Sequence, residues 1–262
     1  MRYPRARVLR KNLEAAISGN AVAQYSVGRA YQKGRGVEQD HAKAVQWYKK
    51  AASQGHEKSL YNLGVAYRKG RGVKRDYHQS PAWFKKAADQ GNKKAFHPLG
   101  YAYRKGLGVV RDNVVATGWY RLAATKGYAK SQYALAKAFS NGIGVKQDHG
   151  RAIHWYNEAA RQGHRKATYE LGLIYQKGLG TRADPTKSIS FFKEAASLGY
   201  RRANFAIGDA YRQGIGVPKS AELALEWFVK AANLGQRKAQ YAVAKAYLDG
   251  YGVTKSYSKS IM

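Results

Sequence analysis

The tightest constraint on this chain is a period. A Gly-x-Gly-Val motif, with Thr181 replacing the valine once, starts at Gly34, Gly70, Gly106, Gly142, Gly178, Gly214 and Gly250, each 36 residues from the last. A second glycine column, Gly19, Gly55, Gly91, Gly127, Gly163, Gly199 and Gly235, keeps the same step. Two turns per 36 residues leave room for two helices of about three to four turns each, so a single supersecondary unit is repeated along the chain.

The residues between the turns have helical spacing. The first helix of each repeat carries Ala23, Val27, Gly28 and Tyr31 or their equivalents, an i, i+4, i+5, i+8 stripe. An aspartate follows the Gly-x-Gly turn at Asp40, Asp76, Asp112, Asp148 and Asp184, with Ser220 in the sixth repeat. Each is placed to accept the free N–H groups that open a second helix. That helix packs through Ala44, Trp47, Tyr48, Ala51 and Ala52. Its aromatic pair recurs as Trp83-Phe84, Trp119-Tyr120, Trp155-Tyr156, Phe191-Phe192 and Trp227-Phe228, so the five tryptophans are expected to be core anchors. Small residues at Gly28, Gly64, Gly100, Ala136, Gly172, Gly208 and Ala244 predict a close approach between helices. One helix pair cannot bury its own stripe, and stacking with neighbours does so, which makes stability nearly additive over repeats and their interfaces.

The fold expected is therefore all-α, a solenoid of antiparallel helix pairs. Residues 1–20 form a basic N-terminal arm and half repeat, residues 21–236 six complete helix-turn-helix repeats, and residues 237–262 a terminal first helix and tail. The face of that last helix, with Val243 and Tyr247, is left for the tail or for self-association. Pro81 and the His97-Pro98 pair predict a kinked third repeat, since a proline inside a helix removes a hydrogen bond.

The pattern Ala-x-Tyr-x-Leu-Gly-x-x-Tyr-x-x-Gly-x-Gly-Val-x-x-Asp, then Lys-Ala-x-x-Trp-Tyr-x-x-Ala-Ala-x-x-Gly, resembles the Sel1-like repeat (SLR) family. The 36-residue step and double glycine separate it from the 34-residue tetratricopeptide pattern. The resemblance implies a right-handed superhelix that serves as a protein-interaction adaptor, with the first helices lining its concave surface. Secreted relatives often pair cysteines within repeats; this chain has none, so a cytoplasmic or other reducing compartment is expected. A non-classical export route would leave no mark in such a sequence.

Catalysis is not expected. Five of the 16 acidic residues are the capping aspartates and the rest are dispersed, so no carboxylate pair suggests acid–base work. His41 and His149 share one column and His56 and His164 another, whole repeats apart, which makes no metal-ligand cluster. Gly34-Arg35-Gly36 lacks the Lys-Ser/Thr of a phosphate loop, and no cofactor is implied. No apolar run reaches the roughly 18 to 20 residues of a membrane span, and the mean hydropathy is negative.

Charge is the remaining feature. Lys plus Arg number 47 against 16 Asp plus Glu, a net charge of +31 that draws polyanions. Lys58, Lys94, Lys130, Lys166, Arg202 and Lys238 stand at the start of successive first helices, where cations oppose the helix dipole, so folding does not ask for them. Lys33, Lys69, Lys105 and Lys177 lie eleven residues on, ~16 Å along the same face. Between the two rows sit Arg29, Val65, Tyr101, Lys137, Leu173, Asp209 and Lys245. The reading is a groove with two basic rails that takes an acidic protein segment, with Val65, Tyr101 and Leu173 as contact anchors. The alternative is nucleic acid or another polyanion along the same rails. Against single strands, 14 of the 21 tyrosines occupy core columns and cannot also stack on bases. A plain solvated basic face is the bland alternative to both.

Overall fold

The computed structural model describes residues 3–260. Among these the structure is fifteen α-helices and one 3-10 turn, with no strand. The chain divides into two compact halves, Met1–Lys126 and Gly127–Met262. The first holds α1 (Tyr3–Ile17), α2 (Ala21–Lys33), α3 (His41–Ser53), α4 (Glu57–Lys69), α5 (Gln79–Asp89), the 3-10 turn Lys93–Ala95, α6 (Phe96–Lys105) and α7 (Asn113–Ala124). The second holds α8 (Ala129–Asn141), α9 (His149–Ala160), α10 (Arg165–Lys177), α11 (Pro185–Ser197), α12 (Arg201–Gln213), α13 (Ala221–Asn233), α14 (Arg237–Asp249) and α15 (Tyr257–Ser260). Within each half, a first helix packs on its own second helix, and that second helix packs on the next first helix.

The caps form as the sequence predicts. Asp40 accepts from the Lys43 amide at 2.9 Å, Asp112 from Val114 and Val115 at 2.8 and 2.9 Å, Asp148 from Arg151, Asp184 from Lys187 and Ser220 from Leu223. Each satisfies an amide that the first helical turn leaves without a partner. Asp76 makes the same bonds to His78 and Gln79, but α5 starts only at Gln79, two residues later than its equivalents. The first glycine of each Gly-x-Gly turn ends a helix in the left-handed region, as Gly34 does at φ 62°. The second is required by proximity: a Cβ on Gly72 would lie 2.0 Å from the His41 carbonyl oxygen, at the start of the preceding second helix.

The small-residue column meets a ring. A Cβ on Gly28 would sit 2.7 Å from Tyr48, on Gly64 2.6 Å from Phe84, on Gly172 2.4 Å from Phe192 and on Gly208 2.7 Å from Phe228. These rings are the centre of the core, Tyr48 at 2% exposure and Phe192 at 0%. Ser80 and Ser188 add a second tie across the pair, donating to the carbonyls of Gly64 and Gly172 at 2.9 and 2.8 Å.

Two expectations need correction, the tryptophans and the third repeat. The five tryptophans are half-buried, not core anchors. Neighbouring residues on a helix point about 100° apart, so only one of each aromatic pair can face the first helix, and the second member does. The tryptophans cover the core's edge, and the ammonium groups of Lys50, Lys86 and Lys230 lie 4.6, 4.8 and 4.2 Å from the ring centroids of Trp47, Trp83 and Trp227. Where a basic arm and half repeat are expected, the chain forms the single helix α1, which covers the face of α2 through Leu9, Leu13 and Ala16. In the third repeat Pro98 does not kink one helix: it divides the segment into the 3-10 turn Lys93–Ala95 and α6, because its missing N–H falls in the first turn of α6 where no donor is needed. Pro81 likewise sits in the first turn of α5. At the far end α15 packs on α14, with Val243 and Tyr247 half-buried.

Candidate functional site

The basic residues are positioned by helix ends. Lys58, Lys130, Lys166, Arg202 and Lys238 are the second residues of α4, α8, α10, α12 and α14, and Lys94 lies in the 3-10 turn before α6. Lys69, Lys105 and Lys177 are the last residues of α4, α6 and α10. All nine are exposed, and so is Lys137. Two of the N-termini they flank, those of α4 and α10, are held by the side chain of the preceding residue: His56 Nδ1 accepts from the Ser59 amide and His164 Nδ1 from Ala167, both at 3.3 Å. Each imidazole also lies 4.7 Å from a tyrosine ring, His56 from Tyr25 and His164 from Tyr133. Burial lowers both pKa values, and nearby Lys58 or Lys166 adds to the effect.

In the first half, the face between the rails is floored by Val65 and Tyr101. Val65 is half-buried against the core, while Tyr101 is 38% exposed with the Arg104 guanidinium 5.4 Å over its ring. Arg104 also donates to Tyr120 Oη at 3.3 Å, and Arg68 lies over Phe84. In the second half Leu173 is half-buried on the Ile189, Phe192 and Ile207 cluster.

Two groups on this face escaped sequence reading. One is the arginine column Arg68, Arg104 and Arg212, one residue short of the second rail. The other is Glu170, a half-buried acid on α10 whose pKa burial raises, while Lys137, Arg202 and Lys177 pull it back down. Three predicted site residues thus act on one carboxylate without outweighing its burial. The signal was available: Glu170 is the only charged residue in the column Ser26, Asn62, Pro98, Ala134, Glu170, Ala206, Ala242.

In the last repeat Lys238, Lys245, Arg212 and Asp249 border one hollow of about 570 Å³ floored by Phe205, Phe228 and Tyr241. Among the described residues there is no group of three or more His, Cys, Asp or Glu side chains arranged to hold a metal ion, and no helix is long and apolar enough to cross a membrane.

Comparison with known proteins agrees with this architecture. A family model described as Sel1 repeat matches residues 21–56, 58–92, 99–128, 129–164, 165–200, 201–236 and 237–262. The crystal structure of a Sel1 repeat protein from Oxalobacter formigenes is similar, at 33% identity and a TM-score of 0.80 over 97% of this chain and 73% of that one. So is c5321, a protective antigen of uropathogenic Escherichia coli strains displaying an SLR fold, at 30% identity and a TM-score of 0.56 over 97% of this chain and 70% of that one. No curated protein matches the sequence. With repeat matches running from residue 21 to 262, a period of 36 and two solved relatives at 30% identity or more, the chain belongs to the Sel1 repeat family, whose members are generally non-catalytic protein-interaction scaffolds.

Proposed function

We propose that this protein is a non-enzymatic adaptor whose first-helix faces bind an acidic protein segment. In the first half Lys58 and Lys94 with Lys69 and Lys105 form the rails and Val65 and Tyr101 the floor; in the second half Lys130, Lys166, Arg202 and Lys238 with Lys177 form the rails and Lys137 and Leu173 the floor. The observation that carries the reading is the exposure of the rail residues at the ends of successive first helices: partner charges can approach without displacing core contacts, and steering by such a field raises association rates. Lys137, Arg202 and Lys177 also pull the Glu170 pKa down, against the larger effect of its burial. The half-buried Val65 and Leu173 supply apolar edges, and Tyr101 a ring.

The test uses nuclease-treated, high-salt-washed protein. Fluorescence anisotropy at physiological salt compares a fluorescein-labelled peptide of alternating glutamate and phenylalanine with a labelled random-sequence DNA duplex. Saturable peptide binding with weak, steeply salt-dependent duplex binding is the result expected. Duplex binding that is tighter than peptide binding would move the function to polyanions, where phosphate contacts dominate.

A further inference from the structure

One second helix, α7 in the first half, departs from the others on its outer face. Ala116, Tyr120 and Ala123 enter the core, and the side opposite them holds Val114, Val115, Gly118 and Leu122. Where Leu122 stands the other repeats carry Lys50, Lys86, Glu158, Glu194 and Lys230, and where Val115 stands three of the five are cations. Residues four apart lie about 40° apart around a helix, so Val114, Gly118 and Leu122 make one stripe ~12 Å long with Val115 on its flank. The stripe is open to solvent, Val114 at 68% exposure and Leu122 at 47%. A glycine inside a helix is a poor choice for folding, and no neighbouring atom lies within 4 Å of where the Gly118 Cβ would stand, so no packing contact asks for it. It leaves a notch between Val114 and Leu122 that another backbone can approach closely.

The border of the stripe is basic. Arg111 precedes α7, Arg121 lies beside Gly118 and Leu122, and Lys126 follows the helix; all three are exposed, and among the described residues none has an ion-pair partner. Between Asp89 and Asp148 the sequence has one acid, Asp112, and its Oδ1 is taken by the cap of α7. We infer that this stripe docks an amphipathic helix of a partner protein, with leucines and small residues on its apolar face and acidic residues along its flanks. The partner's apolar face covers Val114, Val115 and Leu122, its backbone comes closest at Gly118, and its acids meet Arg111 and Arg121. A second copy of this chain fits poorly, because α7 against α7 would oppose Arg121 to Arg121 between two chains of +31. A bilayer surface fits poorly too: it rewards bulky apolar side chains, and the centre of the stripe has none. The stripe lies on a second helix, so it gives the adaptor a contact beyond the first-helix rails and of different chemistry.

The experiment measures anisotropy of a labelled (Leu-Glu-Glu-Leu-Ala-Glu-Ala)3 helix on the full chain carrying Lys94→Glu, Lys130→Glu and Lys166→Glu, so that the rails do not contribute. Saturable binding is expected. Adding Leu122→Lys, the residue three other repeats carry there, should weaken it at least about tenfold, although the added positive charge alone would strengthen it. Adding Gly118→Gln, the residue type of Gln46 in the first repeat, fills the notch and should weaken it at least about fivefold while the urea midpoint stays level or rises. The same peptide with lysine for glutamate should not bind. The alternating peptide (Glu-Phe)4 has no apolar helix face, and its affinity for the otherwise wild-type chain should change less than about twofold with Gly118→Gln. Absent binding of the helix peptide, unchanged affinity in either added variant, or equal binding of the lysine peptide overturns the proposal. If (Glu-Phe)4 fails to bind the wild-type chain while the helix results hold, the rails are wrong and the stripe stands. A dimer by light scattering that Leu122→Lys dissociates would give the stripe to a second copy, and binding to phosphatidylglycerol vesicles that Leu122→Lys removes, without peptide binding, would give it to a membrane; either overturns the proposal.

Discussion

The same substitution should have opposite signs at two helical glycines. Gly118 in α7 has no atom within 4 Å of where a Cβ would stand, so Gly118→Ala only removes backbone freedom from the unfolded chain. It should stabilise by ~0.5 to 1 kcal/mol. Gly172 in α10 gains the same propensity, but its Cβ would lie 2.4 and 2.5 Å from two carbons of Phe192. That ring is fully buried among Ile189, Ile207 and Tyr169 and has no free volume to enter. Overpacking costs ~1 to 3 kcal/mol, so after the propensity gain Gly172→Ala should destabilise by ~1 kcal/mol. Ala136 fills the same column beside Tyr156, which shows that a repeat can be spaced for a methyl; the argument concerns Gly172, whose spacing to Phe192 is the tightest of the helical glycines. Urea unfolding followed by circular dichroism reads both variants. Stabilisation by both would refute the claim that ring contact fixes this column.

Three further outcomes are expected. Phe192→Ala should cost ~3 to 5 kcal/mol by urea unfolding, and Trp227→Ala, whose ring is half-buried, clearly less; equal losses would restore the tryptophans to the core. Asp112→Ala should cost ~0.5 to 2 kcal/mol through two lost cap bonds and leave peptide affinity unchanged. The pKa values of His56 and His164 are lowered on folding, so their contribution is present above the unfolded value of ~6.5 and is lost as pH falls through the folded value. Replacing both by asparagine, which caps the same position at Asn20 and Asn92, should flatten the decline of the urea midpoint between pH 7.5 and 5. Glu170, whose pKa shifts up and whose effect has the opposite sign, cancels in that comparison with wild type.

Much of the architecture could be read from columns of residues, because turns and caps are local. Gly34 and Asp40 declare their conformations through their own side chains, or the lack of one. What needed coordinates was phase. Trp47 and Tyr48 are both large and apolar, and nothing local says which points at Gly28; the answer comes from the angle at which two helices cross. Pro98 announced a disruption but not its form, since whether a proline kinks a helix or starts one depends on where the neighbouring turn ends. For the candidate site, the rails were visible as repeated lysines. Glu170 and the open hollow were not, because each is a departure at one position whose meaning depends on residues from the adjoining repeats.

The central claim is that the exposed basic residues at first-helix ends hold an acidic partner. The most direct measurement is the affinity of the (Glu-Phe)4 peptide for the Lys94→Glu, Lys130→Glu, Lys166→Glu triple variant, with its urea midpoint measured alongside. Each position is exposed, so the midpoint should stay within ~0.5 kcal/mol per site of wild type while affinity falls at least about tenfold. Unchanged affinity in a folded triple variant would contradict the account and leave these lysines as a solvated face.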